Sequence, residues 1–470
     1  MTSLKFGTSG LRGLATDLIG TEARRYTTAF LRHLDQIGEA ADTLYLGRDL
    51  RSSSSTILAD CANAASALGI EVVDCGVLPA PALALHAMAA GSPSLMITGS
   101  HIPADRNGLK FYRAAREISK EDETGIIRQL GDFRFSDISA STLDNTAAAF
   151  DRYLNRYNGL LRADALKGWR VGVYEHSSAG REALAKVFAA YGAEIVRLGR
   201  VDDFVAVDTE AFTDAVFAPL TGWLEQHRLD AIISADGDAD RPLFMDNQGE
   251  FVRGDVLGLL AAQFFKADTV VTPVTSNTAI EASALFPTVI RTKVGSPFVI
   301  EGMEKALASG GRRVFGFEAN GGTLLGTDLA TDGETQLTAL MTRDAILPLI
   351  GVFALAAEQS CSISDLVKQL PLRVALSGRL ENFSSQKSSA LLEQLMVPQS
   401  ATAFFAARGS IVRMEAIDGL QFFLSDDTMV HYRASGNAPE LRCYVEACTS
   451  AQADSALQWG LDAARIGIAQ

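Results

Sequence analysis

The chain has 470 residues, of which 47% are hydrophobic and 21% charged, with a formal net charge of −14. That balance excludes wholesale disorder, and so acidic a surface repels nucleic-acid phosphates. It still admits a small anion, because a local cluster of Arg and Lys in a cleft overrides the global sign.

In chain order, the first element is a Gly-rich stretch, Phe6-Gly7-Thr8-Ser9-Gly10-Leu11-Arg12-Gly13. Its glycines and hydroxyls can hold an anion with Arg12 as charge partner. Short β-rich runs then alternate with helical patterns. Thr43–Gly47 reads as a strand, Ser54–Leu68 as an Ala-rich helix and Gly69–Asp74 as the next strand. The same grammar returns at Trp169–Tyr174, Gly180–Tyr191 and Ala193–Leu198. It appears a third time as a strand over Thr269–Val274, a helix over Asn277–Leu285 and a strand over Thr288–Thr292. Strands spaced by helices imply parallel or mixed sheets covered by helices. The apolar run Ala345–Ala357 predicts a buried helix, since it falls short of the ~20 residues needed to span a bilayer.

The tail changes character. Arg373–Leu380, Ile411–Glu415, Gln421–Ser425 and Met429–Ala434 predict antiparallel strands joined by tight turns, with helices over Ser388–Gln394 and Ala451–Ile466. The expected architecture is α/β: three related α/β domains with mixed sheets covered by helices, plus a smaller C-terminal α+β domain. Their expected bounds are 1–150, 151–252, 253–369 and 370–470, with linkers near Asn145–Arg162, Gly249–Gly254 and Gln369–Leu372. At roughly 100–200 residues per domain, the length agrees with three or four domains. Five cysteines without CxxC spacing, and an N-terminus without the apolar core of a signal peptide, lead us to expect a cytoplasmic protein.

Four polar loops each follow a strand. Thr98-Gly99-Ser100-His101-Ile102-Pro103, running on to Lys110, follows Ser94–Ile97. Gly99 allows a sharp bend before Ser100, Pro103 forbids a helix through the loop, and His101 and Lys110 can neutralise a phosphate or move a proton. Alone, the motif reads equally well as a capped turn.

Asp236-Gly237-Asp238-Ala239-Asp240-Arg241 spaces three carboxylates at i, i+2 and i+4, a pattern that converges on a hard divalent cation. An EF-hand would need Glu twelve positions on, where Asn247 stands. An acidic surface turn is the plainer reading, and the apolar strands on either side speak against it. Arg241 can clamp a phosphate or pair with the acids.

Glu318-Ala319-Asn320-Gly321-Gly322 offers acceptors and donors for sugar hydroxyls, and is also strong turn chemistry. Arg433-Ala434-Ser435-Gly436-Asn437, running on to Arg442, has the composition of a phosphate cradle, or of a polar hairpin with surface arginines.

Taken in this order and spacing, the loops resemble the α-D-phosphohexomutase superfamily of phosphomannomutases, phosphoglucomutases and phosphoglucosamine mutases. The resemblance runs from Gly7 to about Arg442. It implies four domains around a central cleft, with Ser100 as the phosphoserine, Asp236, Asp238 and Asp240 as Mg2+ ligands, and Ser100, through its phosphate, as a further Mg2+ ligand. It further implies Glu318 and Asn320 as sugar readers, and Arg433, Ser435, Gly436, Asn437 and Arg442 as the loop for the phosphate not in transfer. Arg12, His101 and Lys110 match positions tied to acid–base work or charge stabilisation, with Thr8, Ser9 and Arg241 beside the substrate.

The implied reaction interconverts mannose 6-phosphate and mannose 1-phosphate through hexose 1,6-bisphosphate. Glucose or amino-sugar phosphates are the alternatives. The implied partners are a phosphosugar, with no nucleic acid or membrane, and the implied state is a monomer or homodimer. Two departures stand out. Ile102 replaces a frequent Asn, and Gly322 stands where many bacterial members carry a His able to assist acid–base chemistry. A non-catalytic relative would be expected to lose Ser100 or the metal acids first, and all are present. A metal-dependent phosphatase would be told apart by phosphate release.

Overall fold

The computed structural model describes residues 2–135, 139–210, 215–330, 336–435 and 439–467. The chain forms two compact units. The first comprises Met1–Val271 and Gly295–Val367, the second Thr272–Val294 and Lys368–Gln470.

The first unit carries mixed sheets. A seven-stranded sheet takes the order Lys5–Phe6, Leu11–Leu14, Arg106–Tyr112, Ser94–Ile97, Thr43–Arg48, Glu71–Val77, Thr142–Asp144. Its central strands Thr43–Arg48 and Ser94–Ile97 run parallel, and Arg106–Tyr112 returns antiparallel to the latter. Helices Thr21–Gln36 and Ser54–Ala67 bury Phe30, Leu34, Ile57 and Cys61 in a core with Leu44, Leu46 and Leu95.

A four-stranded sheet follows: Pro242–Met245, Ala231–Ala235, Arg170–Tyr174, Glu194–Leu198. Its first pair is antiparallel, so the chain turns back within the Asp236–Arg241 loop. In a third sheet, Val314–Phe317 lies parallel to Thr269–Val271 and antiparallel to Thr323–Leu325, which pairs with Leu340–Asp344. The Glu318–Gly322 loop is therefore the connection of a hairpin. Helix Ile346–Gln359 is buried from Ile346 to Ala356, as its apolar run predicts. It approaches helix Gly254–Phe264 closely at Gly351, where a Cβ would lie 2.8 Å from the Ala261 Cα.

The second unit is an antiparallel sheet in the order Val374–Leu380, Leu441–Ala447, Met429–Ala434, Leu420–Leu424, Ile411–Glu415. Helices Ser385–Leu395 and Ser450–Ile466 contribute Leu391, Leu395, Ala453 and Ala456 to its core. The unit also holds helix Pro398–Phe405, which sequence patterning does not reveal.

Two expectations need correcting. The stretch near Asn145–Arg162 is largely helix, Thr146–Arg156, whose Ala149, Tyr153 and Arg156 recur at i, i+4 and i+7 and are buried. The helix expected over Asn277–Leu285 spans only Ala279–Ala282. Ser283 Oγ donates back to the Ile280 carbonyl, and Ala284 turns to φ 53°, which ends the helix. Among the described residues no helix is long and apolar enough to cross a membrane.

Candidate active site

Ser100 sits just beyond Ser94–Ile97, fully buried, with φ 55°. A non-glycine residue in this region persists only where its surroundings over-determine it. Here they do. The Ser100 N–H donates to Thr98 Oγ1 at 2.8 Å, and that hydroxyl donates to Asp49 at 2.9 Å. Arg51 donates to the carbonyls of Ser100 (3.1 Å), Ile102 (2.6 Å), Pro103 (2.6 Å) and Arg106 (2.9 Å). Its guanidinium also pairs with Asp49 at 3.2 Å and lies 3.8 Å from the centre of the Phe204 ring. Sequence reasoning missed Asp49 and Arg51. Their position just after the predicted strand Thr43–Gly47 was the available signal.

The Ser100 hydroxyl is aimed at the acidic loop. Oγ donates to Asp236 Oδ2 at 2.5 Å and lies 3.1 Å from His101 Nδ1. Gly237 permits this meeting of loops, since a Cβ there would fall 2.7 Å from the Ser100 carbonyl oxygen. The acidic loop is itself clamped. Ser178 Oγ donates to the Asp236 carbonyl at 2.8 Å, and the N–H groups of Ala179 and Ala80 donate to the carbonyls of Gly237 and Asp238.

Asp236, Asp238 and Asp240 are all buried and offer oxygens within 4.8 Å of one another. Asp238 and Asp240 each commit one oxygen to the protein, whereas Asp236 commits both, Oδ2 to Ser100 and Oδ1 to the backbone. Asp236 Oδ1 accepts the N–H groups of Asp240 and Arg241, both at 3.2 Å. Lys110 Nζ donates to Oδ2 of both Asp238 and Asp240. Oδ1 of Asp238 and of Asp240 is buried with no hydrogen-bond partner. Bare buried carboxylate oxygens are costly unless a cation completes them. An all-oxygen set with Oδ1 of Asp238 and of Asp240 free of hydrogen bonds suits a hard divalent ion.

Burial, then repulsion from Asp238 and Asp240, pushes the Asp236 carboxyl up to about 8. Burial acts the same way on Asp240, but Arg343, Lys110 and Arg241 overcome it and hold that group below the usual carboxylate range. Burial, followed by Arg241 and Arg12, drives the His101 imidazole well below its ordinary value, so the ring is neutral. Burial with Arg241 and Arg343 lowers Arg12 to about 10. Arg241 is buried, 3.7 Å from Glu210 and 3.8 Å from Asp240.

Arg343 joins this cluster although no motif contains it. Its Nε and Nη2 reach Asp240 Oδ2 at 3.0 and 2.7 Å, Nη1 reaches Glu318 Oε2 at 2.9 Å, and Nη2 donates to Ser9 Oγ at 3.2 Å. The structure therefore brings Ser9, Asp240 and Glu318 to one guanidinium. Thr8, half-buried, precedes Ser9. Asn320 Oδ1 accepts the Gly322 N–H at 3.0 Å and so shapes its own loop.

In the second unit, Arg433 and Arg442 are paired in register across two strands, and Arg433 Nε donates to Asp418 at 2.6 Å. The Ser435 N–H donates to the Glu440 carbonyl at 3.0 Å. Gly436 and Asn437 lie outside the described residues.

Comparison with known proteins identifies the family of the chain. Family profiles for phosphoglucomutase/phosphomannomutase α/β/α domains I and III match residues 3–135 and 253–374. A phosphomannomutase of Sinorhizobium fredii is 45% identical over 97% of this chain and 98% of its own. One from Salmonella muenchen is 42% identical over 95% of this chain and 92% of its own. Among solved structures, a phosphoglucomutase/phosphomannomutase family protein from Burkholderia thailandensis shares the fold with a TM-score of 0.74, at 19% identity, over 98% of this chain and 97% of its own. The chain thus belongs to the phosphoglucomutase/phosphomannomutase family of intramolecular phosphotransferases, within the α-D-phosphohexomutases.

Proposed function

We propose that this chain is a phosphomannomutase that interconverts mannose 6-phosphate and mannose 1-phosphate through a phosphoserine at Ser100 and a hexose 1,6-bisphosphate. The observation that carries the chemistry is Ser100 itself: an over-determined, buried serine whose Oγ lies 2.5 Å from Asp236 at the edge of a three-carboxylate cluster. The choice of sugar rests on the two phosphomannomutases at 45% and 42% identity.

In the forward half-reaction the 1-hydroxyl of mannose 6-phosphate attacks the phosphorus on Ser100. The bond from phosphorus to Oγ breaks, and one forms to the sugar oxygen. The attacking hydroxyl loses a proton and Oγ gains one. The neutral His101 ring, 3.1 Å from Oγ, supports His101 as its carrier. After the bisphosphate turns over, Ser100 takes the phosphoryl group from the other end. Arg12, Lys110 and Arg241 surround the reacting group with positive charge, where an in-line phosphoryl transfer spreads negative charge.

Asp236, Asp238 and Asp240 would hold Mg2+, consistent with the buried Oδ1 atoms of Asp238 and Asp240, which accept no hydrogen bond. Bound there, Mg2+ would supply Lewis-acid stabilisation of a phosphoryl oxygen. Glu318 and Asn320, beside Thr8 and Ser9, are assigned to the sugar. Arg433, Ser435, Gly436, Asn437 and Arg442 are assigned to the phosphate not in transfer, supported by the facing pair Arg433 and Arg442. The four-domain division belongs to the same reading.

The test is phosphorus NMR of purified protein with Mg2+, a trace of hexose 1,6-bisphosphate and either mannose 1-phosphate or glucose 1-phosphate. The expected result is conversion to the 6-phosphate, faster with mannose. Faster turnover of glucose 1-phosphate would replace the sugar assignment. Conversion of neither would point to an amino sugar, for which the Glu318-Ala319-Asn320-Gly321 loop is the ground.

A further inference from the structure

Among the described residues Arg343 is the largest side chain buried to this depth, at 1% exposure, and it lies in none of the four polar loops. Burying a guanidinium is expensive unless its donors are satisfied by charge. Here it is satisfied by Asp240 of the acidic loop, Glu318 of the sugar loop and Ser9 of the N-terminal loop. The route of its stem matters as much. A Cβ at Gly322 would lie 2.6 Å from Arg343 Cδ, 2.8 Å from Cγ and 2.9 Å from the Asp240 carbonyl oxygen. The space a side chain at position 322 would need is filled by the Arg343 stem, so Gly322 and the inward course of Arg343 form one device.

Its consequence lies in which oxygens it leaves. Arg343 and Lys110 both engage Oδ2 of Asp240, while Oδ1 stays buried without a hydrogen bond, 3.8 Å from Arg241 Nε. Asp240 therefore has one oxygen left free of hydrogen bonds to offer a cation. Single-oxygen carboxylates suit the strict octahedron of a small ion such as Mg2+. Ca2+ takes more ligands, accepts two oxygens from one carboxylate and tolerates irregular geometry. Glu318 is fixed by the same guanidinium through Oε2. A fork of planar donors holds two carboxylates at a set angle, which the point charge of a lysine does not do.

We propose that Arg343 is a positioning residue which, through the space left by Gly322, locks the sugar-loop carboxylate Glu318 to the metal-loop carboxylate Asp240, restricts Asp240 to one-oxygen coordination and so selects Mg2+ over Ca2+. This rests on the phosphohexomutase reading of the acidic cluster, so its first readout does not require turnover.

The experiment titrates Mg2+ and Ca2+ separately into the unphosphorylated full chain by isothermal calorimetry, for wild type, Arg343→Lys and Arg343→Gln. Thermal unfolding without metal identifies which variants fold, and either variant suffices. The expected result is a Mg2+ affinity at least tenfold weaker, with Ca2+ affinity within threefold of wild type. An equal change for both ions, or none, overturns the proposal.

Turnover supplies the second readout. With mannose 1-phosphate, Arg343→Lys is expected to lower kcat/KM by tenfold or more. Glu318→Gln is then expected to cost less than a third as much in the Arg343→Lys background as in wild type, because the partner it depends on is already lost. Independent, multiplying losses would overturn the coupling. If wild type binds Mg2+ but turns over no phosphosugar, the functional reading fails while the calorimetric comparison still decides the role of Arg343.

Discussion

Ser100 combines a positive φ with a hydroxyl committed to Asp236, and the proposed function makes its removal the test that separates chemistry from folding. Ser100→Ala removes the atom to which the phosphoryl group would be bonded, while the loop stays clamped by Arg51 and Asp49. Turnover is expected to fall by at least about a thousandfold, with the unfolding midpoint moved by only a few degrees. Phosphorus NMR and a thermal melt check both halves, and retained wild-type activity would remove Ser100 from its role.

Gly322 gives the reverse case. Gly322→Ala drives a methyl into the Arg343 stem and the Asp240 carbonyl. It is expected to cost about 1–3 kcal/mol by overpacking, read from urea unfolding. These two residues also mark what was legible. Ser100 and the three aspartates stand in motifs where neighbours in sequence are neighbours in the site. Arg343 and Arg51 do their work across folded distances, so no local spacing announces them. Gly322 was visible only as a missing histidine, and its physical reason needs the arginine that comes 21 positions later.

Secondary elements were easiest to read where apolar runs were unbroken. Strand Ser94–Ile97 and the buried helix Ile346–Gln359 fall where their apolar runs place them. Helix Thr146–Arg156 was hidden by its polar, Asn-rich flanks, although Ala149, Tyr153 and Arg156 carry a helical period. What holds it is tertiary: Tyr153 and Tyr157 both donate to the buried carboxylate of Asp344, at the end of strand Leu340–Asp344. Tyr157→Phe leaves that carboxylate short of a donor and is expected to cost about 1–3 kcal/mol in urea unfolding.

Strand Met429–Ala434 supplies a pH-dependent counterpart. His431 is fully buried, stacks on Tyr444 with ring centres 5.3 Å apart, and lies 2.6 Å from the Asp418 carbonyl through Nε2 while Nδ1 has no partner. Burial lowers its pKa from 6.5 to about 4. Between these values the unfolded chain binds a proton that the folded chain refuses. The His431 contribution to stability is thus fully present above pH 6.5 and is lost with acid by about 1.4 kcal/mol per pH unit down to pH 4. His431→Gln can keep a donor toward Asp418 and should flatten that part of the profile. An unchanged slope in urea unfolding between pH 6.5 and 4.5 would show that His431 is not its source.

The division into two compact units bears on how the protein responds to metal. Each unit has its own core, and chains built this way commonly unfold in more than one step. All three aspartates, Lys110 and Arg343 belong to the first unit, whereas His431 belongs to the second. A ligand stabilises the folded unit that binds it, by about 2.7 kcal/mol at a hundred times its Kd. Calorimetric scans with Mg2+ and with a chelator should therefore differ in the transition of the first unit and coincide in that of the second. His431→Gln at pH 5 identifies the latter, since it moves only the transition to which His431 contributes. A Mg2+ shift confined to the transition marked by His431 would place the cation away from Asp236, Asp238 and Asp240. A shift confined to the other transition, and lost in Asp238→Asn, would tie binding to the carboxylate whose Oδ1 is buried and bare.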